Sequence, residues 1–525
     1  MNLLDYILTM DNQSAPTNLE MTIFRCLETM CQSTTRYPFR LCLSLIDTKQ
    51  EPPGFSLADA IGWPAGSVQD SHRGIPRMLI SPCRVAVQKF EDEMGNSVVR
   101  KFCQENEFPD EAFIRVHVGE ESGQKLFFQD LVDPVVTKLR ESILPGIRVN
   151  GKRYEFLAYS SSQLKEMAFW MVMPPEGWSV GKIVSELGDF SEFTTAPKFA
   201  SRIGLRFSTT YQSLPISLSL PCAKGLRYRC IGDITSQYHG RTMVHSDGNG
   251  MIRRSAANAV LQCIPSSPKD LSEVSILQIR AGGVKGTVLV VDRPEIYTEG
   301  PGEDDNSTVD VFIRDSMSKF KAPDAYLEVC CIGRHAPYYL NRNVILLLGK
   351  HGIPDKTFLQ MQTNFLNNLD QMLTERDKAA QMLPRLISKD ARILAILQTM
   401  LQMGLTPLSD PFLFRCLHAA RSHCHFGLRK KCRILVPQGA VLMGAIDVTG
   451  LLPEGCVFLN VRQNGSDSNF KPLVGPCMVT KHPVMAPGDT RMLLAVDIEE
   501  LRGFCNVILF SRHGERPEAD KMAGR

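Results

Sequence analysis

Short apolar runs cut by Gly, Pro and acidic turns constrain this chain more than any other feature. Between about residues 220 and 348 they fall at 274–279, 287–291, 309–313, 326–332 and 344–348. Runs of that length, bounded by turn formers, predict strands. A second series lies at 434–436, 441–446, 457–461, 478–480, 492–496 and 507–510. Between the two series the period changes. Phe358, Met361, Phe365, Leu369, Met372 and Leu373 recur every three or four residues, which predicts a helix with Asp355 as its N-cap. Pro384 is expected to break or kink it before another helix begins near Asp390. Upstream, 78–80 and the alternating stretch 113–118 predict strands, and 154–159 leads into a Ser-Ser-Ser-Gln helix start. The polar stretch 299–308 reads as a solvated loop. The expected fold class is α+β, with two β-rich segments joined by a helical one.

Composition narrows the class. A chain of 525 residues is long enough for roughly three or four domains. Its 43% hydrophobic and 22% charged residues exclude a mainly disordered chain. A net charge of +3 is too small to announce a nucleic-acid binder, so any basic surface must be built locally. The sixteen cysteines contain no C-x-x-C spacing. They read as reduced, mostly buried thiols of an intracellular protein, with nucleus and cytoplasm undistinguished. Residues 1–10 carry Asp5 and no basic stretch, unlike a signal peptide. No stretch approaches eighteen consecutive apolar residues, so neither a membrane span nor a membrane partner is expected.

Several motifs fail on their chemistry. Gly177-Trp-Ser-Val-Gly-Lys182 has three residues between its glycines where a phosphate loop needs four, and Ile183 stands where the magnesium-binding hydroxyl belongs. Cys416, His418, His423, Cys424 and His425 are dense but lack the paired spacing of a zinc site, and they fall at an expected helix end before Gly427. The run Arg429, Lys430, Lys431 and Arg433 is either a solvated face or, in a nucleic-acid enzyme, a phosphate contact. Asp489, Asp497, Glu515 and Asp520 are spread over separate turns, whereas two-metal phosphoryl transfer needs carboxylates packed on one loop. No metal site is expected among these residues.

The residue strings, taken in order, resemble the eukaryotic cellular RNA-dependent RNA polymerases of RNA silencing. The resemblance begins with Arg77-Met-Leu-Ile-Ser-Pro-Cys-Arg84, Asn96-Ser-Val-Val-Arg100 and Phe113-Ile-Arg-Val. Phe156-Leu-Ala-Tyr-Ser-Ser-Ser-Gln-Leu164 with Trp170 is similar to the family's most recognisable early signature, and His245-Ser-Asp-Gly-Asn-Gly250 to its Ser-Asp-Gly-x-Gly turn. Gln278-Ile-Arg-Ala-Gly-Gly-Val-Lys-Gly286 and Ile313-Arg-Asp-Ser-Met-Ser-Lys-Phe320 resemble two lysine-bearing motifs of its first double-psi β-barrel. Leu340-Asn-Arg342 and Phe358-Leu-Gln360 continue the order. Leu442-Met-Gly-Ala-Ile-Asp-Val-Thr-Gly450, Gly475-Pro-Cys-Met-Val-Thr480 and His482-Pro-Val-Met-Ala-Pro-Gly-Asp489 resemble the second barrel.

That resemblance implies two double-psi barrels facing across a cleft, the second incomplete here. The domains it implies are an N-terminal segment of unknown role (1–70), a mixed α/β part (71–200), the first barrel (201–350), a helical connector (351–430) and the second barrel (431–525). It implies nucleotide addition templated by single-stranded RNA, with nucleoside triphosphates as substrates and double-stranded RNA as product. Silencing proteins are further partners it suggests, and Mg2+ is expected for the complete enzyme. Lys285 and Lys319 match the family's lysine positions and are expected to contact triphosphate or RNA, with Arg280 and Arg314 on the same surface. Asp247 is expected to shape a turn rather than bind metal.

The chain also departs from the family. Val448 stands where the family usually has Glu, and Asp315 where it has Pro. Phe510-Ser-Arg-His-Gly-Glu-Arg-Pro517 is followed in the family by a glycine and then Asp-x-Asp-Gly-Asp, whose carboxylates hold the metal; here the sequence ends at Arg525. No catalytic residue is therefore expected within this chain, and a half-built barrel with bare strand edges is expected to be poorly soluble. Two readings stand: an enzyme whose sequence continues beyond Arg525, or a short, inactive paralogue that binds RNA or regulates. An end inside a motif favours the first, since a selected boundary falls in a linker.

Overall fold

A computed structural model describes residues 74–522, apart from 82–84, 92, 94, 121–124, 127–135, 138–139, 142, 150, 218–224, 266, 269, 299–307, 324, 388–391 and 463–469. The segment 1–70, almost all of the 299–308 loop and the Asp390 helix start lie outside the described residues. The chain divides into two compact units: residues up to Thr210 with Phe320–Pro323, and the remainder.

The first unit is built on a six-stranded sheet of β1 (Ile75–Ile80), β2 (Val85–Glu91), β3 (Phe113–Val118), β4 (Ile147–Val149), β5 (Lys152–Ala158) and β6 (Ala168–Val172), in the order β2-β1-β3-β6-β5-β4. Only β1 and β3 run parallel; every other pair is antiparallel. Apolar residues of these strands enter two cores, so 113–118, which alternates in sequence as a half-buried strand would, is buried at every position but the half-buried Arg115. On one face Phe102, Phe108, Phe113 and Trp178 pack ring to ring at 5.1–6.2 Å. The 96–100 motif works as a clamp. Asn96 Oδ1 accepts from Val98 N and Val99 N at the start of a helical turn, Ser97 Oγ donates to Arg206 O, and Arg100 donates to both Thr210 O and Thr210 Oγ1 at 2.9 Å. The Ser-Ser-Ser-Gln start is a capping box, with Ser160 and Gln163 each bonded to the other's backbone N–H. Ser179 of the false phosphate loop caps α1 (Val180–Leu187), and Lys182 lies 4.3 Å from the Trp178 ring with its Nζ donating to Gly177 O.

The second unit opens with a closed seven-stranded barrel. Its strands are β7 (Tyr211–Ser217), β8 (Leu226–Ile231), β11 (Asn249–Arg253), β12 (Ile276–Ala281), β13 (Val284–Val291), β14 (Val311–Arg314) and β15 (Ala325–Ile332), in the order β11-β13-β12-β15-β7-β8-β14. Pairing of β11 with β14 closes the ring. Between β8 and β11 a separate hairpin, β9 (Thr235–Tyr238) and β10 (Arg241–Val244), leaves the wall. Leu277, Ile279, Val288, Val290, Ile313 and Val329 fill the core with Ala257 and Val260 of α2 (Arg254–Gln262). Gly250 and Gly286 are required by close approach. A Cβ on Gly250 would lie 2.3 Å from Phe312 O, and one on Gly286 would lie 2.5 Å from Gly248 O and 2.8 Å from Met317 Cε.

The helical segment comprises α3 (Arg342–Lys350), α4 (Asp355–Gln371), α5 (Arg376–Leu386), α6 (Arg392–Gln402) and α7 (Pro411–Lys431). Several expectations are corrected here. The run 344–348 is helical, started by Asn341, whose Oδ1 accepts from Val344 N. Asp355 is the first helical residue, not the cap. The helix of 358–373 ends at Gln371, well before Pro384, which instead sits in the last turn of the separate α5, where the chain leaves the helix two residues later. Gly427 does not end α7; Cys432, in the left-handed region at φ 52°, does. A two-stranded ribbon of β16 (Ala336–Tyr339) and β17 (Leu435–Val441) brackets these helices.

The last β segment is an open sheet in the order β18-β23-β19-β22-β21, with β20 beside β19: β18 (Met443–Ile446), β19 (Cys456–Arg462), β20 (Phe470–Pro472), β21 (Gly475–Thr480), β22 (Thr490–Ala495) and β23 (Val507–Phe510). The apolar run 441–446 is divided between β17 and β18. One face packs Ala445, Phe458, Val507 and Leu509 against Met251, Ile276, Leu289 and Phe312 of the barrel, forming a shared core. The thiols are less buried than expected. Of the described cysteines only Cys456 is buried, while Cys230 and Cys331 are exposed on strands and Cys263 is exposed at the end of α2. Burial still pushes the Cys103 thiol up to about 12 and that of Cys505 to about 11.

Candidate functional site

Three of the four expected cations gather at one end of the barrel. β12 and β13 are joined by Gly282-Gly283, and their ladder sets Arg280 opposite Lys285. On the other side of β12, Arg280 faces Glu328 of β15. Directly opposed side chains in such a ladder stand about 5 Å apart, so two cations and a carboxylate form one row across three strands. Lys285 is exposed and Arg280 half-buried, its Nη1 donating to Ile279 O at 2.7 Å. Burial pushes the neighbouring Cys330 thiol up, while the Arg280 and Lys285 cations pull it down.

Lys319 reaches the same turn from a different segment. Ser318 bridges to Val284, and Lys319 N donates to Gly283 O at 3.0 Å. Its Nζ bonds to Ser316 O. Arg314 behaves differently from the other three. It is 3% exposed, with Nε donating to Asn249 O at 2.9 Å and Nη1 to Gly232 O at 2.6 Å. It therefore pins the 245–250 turn from behind.

That turn is organised by Asp233, a residue the sequence did not single out. Asp233 Oδ1 accepts from Ser246 Oγ and Ser316 Oγ, and Oδ2 from Ser316 N, all at 2.8 Å. Gly248 N donates to Ser316 Oγ at 2.9 Å, and Gly248 O accepts from Thr287 N at 2.8 Å. Asp233 thereby ties the 245–250 turn to the segment that carries Lys319. Asp247 stands exposed in this turn, followed by Gly248 at φ 71°.

The two β segments bring three of the singled-out strings together. Ile446 N donates to Asn249 Oδ1 at 3.2 Å, and Ser236 Oγ to Glu515 O at 2.7 Å. Asp447 is 1% exposed; its Oδ1 accepts from Thr449 N and Thr449 Oγ1, and its Oδ2 from Leu452 N. The turn it folds receives the 511–514 segment: His513 Nε2 bonds to Gly450 O at 2.7 Å, Arg512 Nη1 to Val448 O at 3.4 Å, and Ser511 Oγ to Leu452 O at 2.7 Å. Asp489 is likewise a turn former, its Oδ2 accepting from Met485 N and Ala486 N. Asp497 pairs with Arg502, and Asp520 with Arg516. Among the described residues no three His, Cys, Asp or Glu side chains are grouped to hold a metal ion, the Cys416–His425 cluster included.

His245 lies at this junction, 8% exposed, with Nε2 bonded to Ser236 Oγ at 2.9 Å. Burial lowers its pKa below the ordinary 6.5 against a backbone hydrogen bond with Gly514 that raises it; His513 and Lys521 act with burial, and Glu454 opposes. The unfolded chain therefore binds a proton at a pH where the folded chain does not. Stability should fall as pH drops below about 6.5. Melts from neutral to mildly acidic pH are expected to show that decline, with a shallower slope in His245→Gln. Equal slopes would contradict it.

The comparisons agree with this architecture. The family model for RNA dependent RNA polymerase matches residues 80–525, and the chain belongs to that family. It is 30% identical over 446 residues to "Probable RNA-dependent RNA polymerase 1" of Oryza sativa subsp. japonica, covering 83% of this chain and 56% of that protein. It is 32% identical over 478 residues to "RNA-dependent RNA polymerase 2" of Arabidopsis thaliana, covering 85% and 39%. The solved structure of the RNA dependent RNA polymerase QDE-1 from Thielavia terrestris shares the fold, with a TM-score of 0.60 at 17% identity over 94% of this chain and 57% of that one. The chain thus spans about half or less of the length of these relatives. Among the described residues no helix is long and apolar enough to cross a membrane.

Proposed function

We propose that this chain forms the two-barrel part of an RNA-dependent RNA polymerase that copies single-stranded RNA into double-stranded RNA in RNA silencing. The observation that carries the reading is the junction of the 245–250, 442–450 and 510–517 strings, distant in sequence, beside a cation-bearing barrel end: Ile446 is bonded to Asn249, His513 to Gly450, and Ser236 to both His245 and Glu515. In this reading the closed barrel is the first double-psi barrel, and the open sheet belongs to the second.

Nucleotide addition joins a 3′-hydroxyl to the α-phosphorus of a nucleoside triphosphate and releases pyrophosphate. Negative charge spreads over phosphoryl oxygens in the transition state, so fixed cations at those oxygens lower the barrier. Lys285 and Lys319 are assigned this role, held by the glycine turn and the Asp233 knot. Arg280 supports the field from the next strand. Arg314 is assigned to positioning the turn, because its guanidinium is buried against two carbonyls. Mg2+ and the silencing partners belong to the proposal for the complete enzyme alone.

The sequence contains no Asp-x-Asp-Gly-Asp. The 525-residue polypeptide by itself is therefore expected to bind single-stranded RNA without extending it. A primer-extension assay with purified chain, template, four triphosphates and Mg2+ checks this. Template binding with no product is the expected result; Mg2+-dependent extension would show that residues within this chain suffice for chemistry.

A further inference from the structure

We propose that the exposed face of α7 is a track for single-stranded RNA, distinct from the barrel lysines. The inference rests on the polymerase reading and adds a second contact surface to it. Its first support is charge. Residues 342–433 hold fourteen Lys and Arg against six Asp and Glu, although the whole chain is only +3. The positive excess of the molecule is thus concentrated in the helical segment, and between Asp410 and Asp447 the sequence has no carboxylate at all.

The second support is the arrangement of that charge. At 3.6 residues per turn, Phe412, Arg415, Ser422, Phe426, Arg429 and Lys430 fall within about 100° of arc and along about 27 Å of helix. Phe412 and Phe426 are 50% and 58% exposed. Arg415, Arg429, Lys430 and Lys431 are exposed and form no ion pair among the described residues, whereas Arg421, on another side of α7, is neutralised by Asp370. Cations in the last turn are favoured by the helix dipole. That effect does not account for Arg415 near the N-terminal end, nor for two phenyl rings held in water on the same face.

Cations alternating with exposed aromatic rings suit a flexible polyanion whose bases can stack, which is single-stranded nucleic acid. A membrane surface fits less well. The opposite side of α7 is spent inside the helical core, where Leu413 and Leu417 pack with Cys416, Ala420, Cys424 and Leu428, so no apolar face remains to enter a bilayer.

The test uses the 525-residue chain and a fluorescein-labelled oligouridylate long enough to span α7, read by anisotropy at rising salt. The variant Arg415→Gln/Arg429→Gln/Lys430→Gln/Lys431→Gln is expected to bind about tenfold or more weakly. Its salt slope should also fall by about 2 to 3, since each single-strand phosphate contact contributes about 0.7. Phe412→Ala/Phe426→Ala should weaken binding at an unchanged slope. Photocrosslinking of a 4-thiouridine version to unaltered chain should label α7, a readout that depends on no variant. Wild-type binding with an unchanged slope in the quadruple variant, or crosslinks that avoid α7, would overturn this inference and leave the polymerase reading standing. Absence of any RNA binding by the wild-type chain would overturn both. Binding to phosphatidylserine vesicles that the quadruple variant loses, without RNA binding, would assign the face to membranes instead.

Discussion

Replacing Asp447 with alanine is expected to destabilise the second unit by about 3 kcal/mol, since each orphaned buried donor costs about 1–3 kcal/mol. The carboxylate is 1% exposed and accepts from Thr449 N at 2.9 Å, Thr449 Oγ1 at 2.6 Å and Leu452 N at 2.8 Å. Among the described residues no side chain but that of Asp447 is bonded to those two N–H groups. The damage should spread, because the same turn presents the carbonyls that receive Arg512 and His513. For a large domain this loss corresponds to a fall in Tm of roughly 6–12 °C. Asp447→Asn keeps one acceptor oxygen and should cost less. A thermal melt followed by circular dichroism checks both, and an unchanged Tm in the alanine variant would show that the turn does not depend on its carboxylate.

The second large effect concerns function. With Lys285→Ala and Lys319→Ala combined, triphosphate affinity of this chain is expected to fall about 30- to 150-fold, the equivalent of about 2–3 kcal/mol for two partly solvated charge-assisted hydrogen bonds. Fluorescence titration with a labelled nucleoside triphosphate measures it. The melting temperature should fall little, because Lys285 is exposed and the Lys319 side chain, among the described residues, is bonded to a carbonyl three residues away. Arg314→Ala should show the reverse pattern. It removes two bonds to Asn249 O and Gly232 O from a buried position, so the melt should fall and affinity should drop only through the displaced turn. Loss of affinity without loss of stability for the lysines, and loss of stability for the arginine, separates contact from support.

Much of this architecture is legible in the sequence because strands of a buried barrel are short, apolar and separated by turn residues. The barrel runs could be read for that reason, whereas the two lysine strings were legible only through their resemblance to the family. The run 344–348 could not, since a five-residue apolar stretch fits a strand or a buried helix equally well. The discriminating signal was Asn341, a side-chain cap three residues before Val344. Gly427 marks no helix end in α7, because glycine inside a helix costs only about 1 kcal/mol and packing carries the chain through it to Lys431. Asp233 gave no local sign at all: its partners lie 13 and 83 residues away, and only closure of the barrel brings them to it. The same holds for the junction between Asn249 and Ile446, separated by 197 residues. The sequence marked these strings, but not that they touch.

Photolabelling with an azido-ATP analogue, followed by peptide mapping of the unaltered chain, addresses the central claim most directly. The account predicts label within residues 280–319, displaced by unlabelled triphosphate and abolished in Lys285→Ala/Lys319→Ala. Displaceable label confined to other peptides, at full intensity in the double variant, would contradict it.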